Sequence, residues 1–241
     1  TAIIIPTRLG AKRFPNKPLM KINNIPMIIH VLKRAKESKA GEVFVATPDD
    51  EIFKLVIENQ GNAILTSSEH PSGSDRVYEA YSKIAKKNID LLISLQGDMP
   101  NIKPSSILKL EKLMRNNKCD LGTLASKIID KKEIINSNVV KVQTEQDLNI
   151  DNFLDAKDFF RTKTDLKNEK IYHHIGIYAF TSKALTNYVK FERSKLEIER
   201  DLEQMRAMEN KLIVKVGLSD SKPLSVDTKE DLIEVSREMN S

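Results

Sequence analysis

Short apolar runs alternate with amphipathic segments along the first half of the chain. Residues 2–5, 43–46, 63–66 and 91–95 are apolar and partly β-branched, as expected for strands that are buried on both faces of a parallel sheet. Between these runs, apolar residues recur at helical spacing, beginning with the segment that starts at Met27. The alternation predicts an α/β fold with three layers and a right-handed, doubly wound, mostly parallel sheet.

Residue types that favour helix N-termini stand where the predicted helices begin. Asp49 and Asp50 open the second helix, and Ser74 or Asp75 opens the third. Pro104 takes a first-turn position in the fourth helix, where its missing N–H costs no hydrogen bond. The chain therefore carries start signals for the helices that a doubly wound sheet requires.

The alternation becomes irregular after about residue 130. The runs 139–144 and 175–180 predict strands, but the stretch between them is polar and rich in Asp and Lys. A long amphipathic segment at 194–210 follows, then another apolar run and a final helix capped by Thr228. This change of pattern predicts an insertion over the sheet.

The length of 241 residues suits one large domain with an elaborated insertion. We expect a single domain over residues 1–241, in which an insertion at approximately 145–210 adds a smaller sheet and helix region. Two fully independent domains are less compatible with this length.

Charge and composition restrict the kinds of partner. The chain has 39 Lys and Arg against 34 Asp and Glu, and its net charge of +5 admits acidic partners such as nucleotides. Aromatic residues make up 5%, Trp is absent, and acidic residues are scattered among the basic ones. Because nucleic-acid binders typically carry a basic stripe with interleaved aromatics, we expect no nucleic-acid partner.

Cysteine content and hydropathy bear on location. The single cysteine, Cys119, excludes an intrachain disulfide and a multi-cysteine zinc site, and it fits a reducing compartment. No apolar run approaches the roughly 18 residues of a membrane span, and the opening residues read as a strand cut by Pro6. We expect a cytoplasmic protein with no membrane insertion and no export signal.

The loop after the first strand, "PTRLGAKRFPNKPL", carries an unusual density of positive charge. Ligands of open α/β sheets bind outside the carboxyl ends of the strands, so this loop is well placed for binding. Arg8, Arg13 and Lys17 could converge on an anion such as a triphosphate, and Gly10 could let backbone amides approach it. The loop matches neither the Walker pattern nor G-x-G-x-x-G, and a solvated basic loop is the alternative.

Two carboxylates stand at strand ends. Asp98 follows the fourth strand in "LISLQGDMP", and Asp227 precedes the last helix in "LSVDTKEDL". Mg²⁺ prefers one or two carboxylates together with substrate phosphates, which makes both residues metal candidates. The alternatives are a turn-forming Gly-Asp pair and a helix cap, respectively.

Two further polar motifs are weaker signals. "HPSGSDR" at 70–76 has the small and hydroxyl-bearing residues of a loop that contacts a base or a sugar, and it also suits a helix N-cap. His173 and His174 are adjacent in a predicted strand, so their side chains point to opposite faces and make a poor shared metal site.

Taken in order, these motifs resemble the sugar-acid cytidylyltransferases, and among them the 3-deoxy-manno-octulosonate (Kdo) cytidylyltransferases, also called CMP-Kdo synthetases. The opening loop resembles the family pattern I-P-A-R-x-x-S-x-R-x-P-x-K-P-L, and the later motifs follow in the family's order. These motifs are "VFVATPDD", "HPSGSDR", "LQGDMP", "NVVKV", "HIGIYAF", "LEQMRAMEN" and "VDTKEDL". Sialic acid cytidylyltransferases share the chemistry but have a different opening loop.

The resemblance implies a Mg²⁺-dependent transferase that joins CMP from CTP to the anomeric hydroxyl of Kdo and releases pyrophosphate. The product, CMP-Kdo, would serve lipopolysaccharide synthesis, and the protein would be a homodimer, with the insertion supplying the sugar pocket and a dimer face. The implied catalytic residues are Arg13, Lys17 and Asp98, with Asp98 and Asp227 as metal ligands. The implied nucleotide-binding residues are Arg8, Gly10, Arg13, Lys17, Ser72, Gly73, Arg76 and Gln96. The implied sugar-binding positions are Gln96, Asp155, His174, Tyr178, Glu203 and Gln204.

One position departs from the family pattern. Where the family usually has "YFSRAxIP", this chain has "NFLDAKDFF", so that Asp155 replaces an arginine that is expected near the sugar acid. A carboxylate there suggests an acceptor with a cationic group, such as the 8-amino analogue of Kdo, which Asp155 would pair with. A shifted alignment, with Arg161 in the arginine's place, is the alternative.

Two other readings remain open at this level. Transfer of CMP to another acceptor, such as a sialic acid or a sugar-alcohol phosphate, uses the same fold with other loop motifs. A nucleotide-sensing protein without activity needs a damaged catalytic position, whereas Arg13, Lys17, Asp98 and Asp227 are all present.

Overall fold

The computed structural model describes residues 1–10, 14–84, 88–162 and 170–240. The chain divides into two compact units, one formed by Thr1–Leu108 with Pro223–Ser241 and the other by Lys109–Lys222. The single domain with an insertion at 145–210 stays a prediction.

The elements follow one another in a mixed α/β order. Up to the fourth long helix they are β1 (Ala2–Pro6), a short 3₁₀ turn (Lys17–Leu19), β2 (Lys21–Ile22), β3 (Ile25–Pro26), α1 (Met27–Glu37), β4 (Glu42–Thr47), α2 (Asp50–Glu58), β5 (Asn62–Leu65), α3 (Gly73–Ile84), β6 (Leu91–Leu95) and α4 (Pro104–Asn116). The remaining elements are β7 (Leu121–Ser126), α5 (Lys132–Ile135), β8 (Lys141–Thr144), β9 (Phe153–Phe160), β10 (Lys170–Thr181), α6 (Ser182–Tyr188), α7 (Lys195–Arg200), α8 (Gln204–Glu209), β11 (Val214–Leu218) and α9 (Lys229–Glu238).

The first unit contains a parallel sheet in the order β5-β4-β1-β6. At its centre Ile4 of β1 aligns with Phe44 of β4 and with Ser94 of β6. Every residue of β1 and β6 is buried, which explains why these strands are apolar throughout rather than alternating. Because the strands are parallel, the loops that follow them emerge at one edge of this sheet.

The predicted helix starts of the first unit agree with the structure to within one or two residues. Asp49 is the N-cap of α2, α3 begins at Gly73 and α4 begins at Pro104. In α9, Thr228 and Asp231 form a complete capping box, in which each side chain accepts from the other residue's N–H. These local signals were sufficient because capping depends on residues within four positions of the helix end.

The strands of the second unit follow the order β10-β7-β11-β9-β8. Only β7 and β11 pair in parallel among the described strands of this unit, and the other pairs are antiparallel. The long strand β10 pairs with β8 through Lys170–His173 and then with β7, and its register shifts between Ile175 and Tyr178. The α/β class is confirmed, with the parallel series in the first unit and a largely antiparallel sheet in the second.

Two parts of the second unit differ from the pattern of the sequence. Strand β9 lies inside the polar stretch after residue 144; its Phe153, Phe159 and Phe160 are buried, and partly buried and exposed positions alternate between them. The amphipathic segment 194–210 forms two short helices, α7 and α8, because the chain turns at Asp201, whose φ is 52°. The turn brings Glu197 of α7 against Arg206 of α8, and both side chains are 3% exposed.

Among the described residues, no helix is both long and apolar enough to cross a membrane.

Candidate active site

A cleft of the first unit collects most of the residues that the sequence nominates for nucleotide binding. Its lining comes from the loops after β1 and β6 and from the loop that leads into α3. The nominated residues that line it are Arg8, Lys17, Ser72, Gly73, Arg76, Gln96 and Asp98. Lys17 and Asp98, which are 81 positions apart, are brought together because the parallel strands end at the same edge of the sheet.

Two nominated residues of the opening loop do not join this lining. Gly10 is exposed, its φ is not positive, and a Cβ added to it would meet nothing within 4 Å. The backbone of Gly10 thus shows no need for glycine, and its part in nucleotide binding stays a prediction. Arg13 lies outside the described residues.

Lys17 is the centre of the charged side of the cleft. Its Nζ donates to Asp98 Oδ2 at 2.9 Å, to the carbonyl oxygen of Val226 at 2.9 Å and to Asp227 Oδ1 at 3.2 Å. Burial lowers the pKa of Lys17, but the two carboxylates outweigh it and raise the pKa above its ordinary value. The ammonium therefore stays charged and holds together the two carboxylates nominated as metal ligands.

Backbone contacts explain how Asp98 and Asp227 meet although they are distant in sequence. The N–H of Val226 donates to the carbonyl oxygen of Asp98 at 2.9 Å. Asp231 of the α9 capping box accepts from the N–H of Asp227 at 2.9 Å. Val226 is buried in an apolar cluster with Phe14 of the opening loop, which fixes the C-terminal segment beside that loop.

The donor set suits a hard divalent cation. Asp98 Oδ2, the Val226 carbonyl oxygen and Asp227 Oδ1 all accept from the single Lys17 Nζ, so two carboxylates and a carbonyl oxygen lie close together around the ammonium. Mg²⁺ takes such oxygens together with substrate phosphates and rarely an all-protein cage. No group of three His, Cys, Asp or Glu side chains arranged for a metal occurs in the described part of the chain.

The "HPSGSDR" motif serves as a helix start and as a wall of the cleft at the same time. Ser72 Oγ donates to Asp75 Oδ2 at 2.6 Å and accepts from the Asp75 N–H at 3.3 Å. Arg76, 3% exposed, donates to Thr66 Oγ1 at 2.6 Å and to the carbonyl oxygen of Ser67 at 2.8 Å. Burial and the nearby charge of Arg8 lower the pKa of Arg76. Both readings of this motif are therefore compatible with the structure.

His70 also lines the cleft, although the sequence reasoning did not nominate it. Its Nε2 is hydrogen-bonded to Glu79 Oε2. Burial alone would raise the pKa of Glu79, but hydrogen bonds from Lys83, His70 and the Ser67 N–H lower it to about 2. The sequence signal for His70 is its position at the head of "HPSGSDR", because other residues of that motif line the same cleft.

In the second unit, two of the nominated sugar-binding residues pack against each other in a buried cluster. The rings of His174 and Tyr178 lie 5.5 Å apart, and Phe159 meets His174 edge-on at 5.1 Å. Thr123 Oγ1 lies 2.9 Å from His174 Nε2 and donates to the carbonyl oxygen of Ile177 at 2.7 Å. This hydroxyl satisfies polar groups at the register shift of β10, which explains a threonine in an otherwise apolar strand.

Gln204 completes this cluster. The hydroxyl of Tyr178 donates to Gln204 Oε1 at 3.0 Å, while Gln204 Nε2 is buried without a hydrogen-bond partner. Burial, and then the nearby charge of Glu203, raise the pKa of Tyr178 well above its ordinary value. Burial also lowers the pKa of His174 to about 3, so the cluster is neutral at physiological pH.

Asp155 does not contact the buried cluster. It lies on β9, its side chain is 75% exposed, and its Oδ1 pairs with Lys215 Nζ of β11 at 2.8 Å. The hypothesis that Asp155 pairs with a cationic group on the sugar gains no support from this placement, because a lysine of the same chain already pairs with it. Its assignment to the sugar site stays untested.

The "NVVKV" motif has a structural meaning that the sequence reasoning did not assign. Lys141 is fully buried, and its Nζ donates to the carbonyl oxygens of Asn136, Val139 and Arg161. Arg161 in turn donates to the carbonyl oxygen of Ser137 at 3.2 Å. These bonds tie the loop before β8 to the end of β9, and they hold the backbone of Arg161, the alternative arginine, in place.

Comparisons with known proteins agree along the whole chain. A family model described as cytidylyltransferase matches residues 2–216. A 3-deoxy-manno-octulosonate cytidylyltransferase of Rhodopseudomonas palustris is 41% identical over 233 residues, which cover 96% of this chain and 94% of that protein. The protein of the same name from Thermodesulfovibrio yellowstonii is 42% identical, with 96% and 95% covered. A CMP:2-keto-3-deoxy-manno-octonic acid synthetase, solved in complex with CTP, has a TM-score of 0.88 at 33% identity and covers 99% of this chain and 98% of its own.

Proposed function

Because this chain belongs to the 3-deoxy-manno-octulosonate cytidylyltransferase family, we propose that it transfers CMP from CTP to the anomeric hydroxyl of Kdo and releases pyrophosphate. The observation that carries this proposal is the convergence of Lys17, Asp98 and Asp227 at a cleft. Arg8 and Arg76 line the same cleft. Cations and carboxylates are what a metal-bound triphosphate requires.

In this proposal the cations of the cleft bind the triphosphate and stabilise charge. Arg8 is exposed and lines the cleft, so its guanidinium is available for phosphate oxygens. Lys17 holds a fixed positive charge next to Asp98, where the negative charge of the transition state and of the leaving pyrophosphate builds up. Cations that are already in place contribute to catalysis because they need no reorganisation during the reaction.

We assign Mg²⁺ to Asp98 and Asp227 as the metal of the reaction. The ion, when bound, would neutralise phosphate charge and polarise the phosphoryl group that is attacked. The carboxylates orient the ion, and the α9 capping box fixes the backbone of Asp227. Gln96, which lines the cleft, would hold the nucleotide or the sugar acid, while Ser72, Gly73 and Arg76 would fix cytosine and ribose.

For the acceptor we assign His174, Tyr178, Glu203 and Gln204 of the second unit. The buried Gln204 Nε2, which lacks a partner, is a donor that a hydroxyl or carboxylate of the sugar would satisfy. Kdo is the acceptor favoured over its 8-amino analogue, because the 40% identical relatives carry the Kdo name and Asp155 already pairs with Lys215. The product would enter lipopolysaccharide synthesis.

We further propose a cytoplasmic homodimer. Cys119 is buried and free, as suits a reducing compartment. Ile150 and Ile198, 52% and 60% exposed, lie in the 145–210 region that was predicted to supply the dimer face. Sedimentation of the wild-type protein and of Ile198→Glu tests this assignment, and a wild-type monomer at micromolar concentration contradicts it.

The decisive experiment measures pyrophosphate release with CTP, Mg²⁺ and a panel of sugar acids. We expect turnover with Kdo and CTP, with far less turnover for UTP or for a sialic acid. Lys17→Met is the variant expected to lose turnover while remaining folded, and Lys21→Met, an exposed lysine of the same segment, is its matched control. Absence of turnover with Kdo and CTP in the wild type contradicts the proposal.

A further inference from the structure

The loop after β1 is fastened by a carboxylate from the start of α2. The N–H of Leu9 donates to Asp49 Oδ2 at 2.8 Å, across 40 residues of sequence. That N–H belongs to the peptide that joins Arg8 to Leu9. The bond therefore fixes the orientation of the backbone at the arginine that lines the cleft.

Two backbone bonds extend this anchor to both ends of the loop. The N–H of Thr7 donates to the carbonyl oxygen of Ala46 at 3.0 Å, so Arg8 stands between two fastened residues. The N–H of Asn16 donates to the carbonyl oxygen of Leu9 at 2.9 Å. Leu9 thus joins the carboxylate anchor to the residue that immediately precedes Lys17.

Asp49 serves this loop rather than its own helix. An aspartate at an N-cap usually accepts from an N–H of the first helical turn, but the Asp49 carboxylate makes no such bond to α2. The buried Thr47 orients it, with its Oγ1 3.4 Å from Asp49 Oδ2 and accepting from the Asp49 N–H at 3.1 Å. The side chain is therefore held toward Leu9.

The charge of Asp49 also requires an explanation. A carboxylate near an anion site opposes anion binding, so its presence there indicates a compensating task. Arg8 lowers the pKa of Arg76, whereas Asp49 acts in the opposite direction. Asp49 consequently offsets the repulsion between two arginines that line the same cleft.

We propose that Asp49 is a positioning residue for nucleotide binding, whose carboxylate holds the Arg8–Leu9 peptide so that Arg8 is presented to the triphosphate. The identity of the nucleotide rests on the proposed function. The anchoring of the loop does not.

Three substitutions and a control isolate the hydrogen bond between Asp49 and Leu9. Asp49→Ala removes the carboxylate and leaves a residue type that is unfavourable at an N-cap, whereas Asp49→Ser keeps a favourable N-cap residue whose side chain is too short to reach Leu9. Asp49→Asn keeps an oxygen acceptor at the same distance. Asp50→Ala removes the next carboxylate, which is exposed on the first turn of the same helix.

The first measurement is calorimetric binding of CTP, with kcat determined at saturating CTP. We expect the Kd for CTP to rise about tenfold in Asp49→Ala and Asp49→Ser, with a smaller change in kcat. Asp49→Asn should stay within about threefold of the wild type, and Asp50→Ala should match it. Wild-type affinity in Asp49→Ser overturns the proposal, as does an equal loss in Asp49→Asn, because the loss would then follow the charge of Asp49 and not its hydrogen bond to Leu9.

The second measurement is the rate at which trypsin cleaves the Arg8–Leu9 bond of the nucleotide-free protein, followed by mass spectrometry. We expect cleavage to be several-fold faster in Asp49→Ala and Asp49→Ser and unchanged in the other two variants. This readout needs no nucleotide, so it still reports on the anchor if the protein does not use CTP. Faster cleavage with unchanged CTP affinity also overturns the proposal, since the anchor would then order the loop without presenting Arg8.

Discussion

The cleft of the first unit and the buried cluster of the second unit treat polar groups in opposite ways. In the cleft, the side chains of Lys17, Asp98 and Asp227 keep 15%, 22% and 34% of their surface exposed and form ion pairs. In the cluster, His174 and Gln204 are 7% and 3% exposed and are neutral. Charges near solvent can exchange partners when an anion binds, whereas buried neutral groups are fixed and discriminate by shape and hydrogen bonding.

In the cleft of the first unit, we expect the largest loss of activity from a substitution at Asp98. Asp98→Asn removes a proposed metal ligand and one of the two carboxylate partners of Lys17. We expect kcat to fall by about 10³-fold with little change in the thermal midpoint, because Asp98 is partly exposed and outside the apolar core. The measurement is pyrophosphate release at saturating Mg²⁺. A variant that retains a tenth of wild-type kcat removes Asp98 from the metal site.

The second unit also contains a buried ion pair, which joins α7 to α8. Arg206 and Glu197 are each 3% exposed and form two hydrogen bonds, at 2.8 Å and 2.6 Å. Arg206→Met takes away the buried cation of Glu197 and leaves its carboxylate to the exposed Arg193 and the Ser194 N–H, and we expect the free energy of unfolding to fall by about 3 kcal/mol in urea titrations. Adding Glu197→Gln should recover part of this loss. A loss below about 1 kcal/mol in the single variant would show that the pair is not effectively buried.

Low pH should destabilise the protein through His174 of the buried cluster. Its pKa is about 3 in the folded protein and has its ordinary value in the unfolded chain, so the unfolded state binds more protons between these values. Stability should therefore be unaffected by this group above pH 7 and fall as the pH is lowered from about 6.5. We expect a loss of about 2 kcal/mol by pH 5.

The control for this pH dependence is His174→Gln, which lacks the titrating ring. The slope of the unfolding free energy between pH 7 and pH 5, measured by urea titration, should be shallower in the variant than in the wild type. Equal slopes contradict a buried neutral His174.

The smallest effect is expected at Asp155, the departure from the family pattern. Its side chain is 75% exposed and its ion pair with Lys215 is screened by water. Asp155→Ala should change the free energy of unfolding by less than about 0.5 kcal/mol and leave kcat/KM for Kdo within about twofold. A preference of the wild-type protein for the 8-amino analogue, lost in this variant, would contradict that expectation.

Much of the fold was predictable because its signals are local. The buried parallel strands are continuously apolar, Pro104 marks the start of α4, and the capping box of α9 uses residues at the helix end itself. Strand β9 was missed because Asp155, Lys157 and Asp158 interrupt its apolar residues, and burial of its two ends by neighbouring strands is a tertiary effect. The break between α7 and α8 was missed because a left-handed Asp201 leaves no clear trace in an amphipathic pattern.

For the candidate site, the sequence predicted which charged and polar residues stand at the ends of strands, but not how they meet. That reasoning nominated Lys17, Asp98 and Asp227, but the resemblance to a family, rather than spacing, joined them into one site. It did not nominate His70 or Asp49, whose importance comes from contacts with Glu79 and Leu9. Hydrogen bonds across 40 or more residues, such as that of Asp49, have no periodicity that a sequence pattern could reveal.

By itself, the sequence determined the class of fold and the residue types available at the ends of the strands, because burial and capping act on neighbouring positions. Only the tertiary structure decided that Lys17 joins carboxylates 81 and 210 residues away, that Asp49 serves a loop and not its helix, and that Asp155 faces solvent beside Lys215. Each of these outcomes depends on how strands are ordered and aligned in a sheet, and that order is a property of the whole chain.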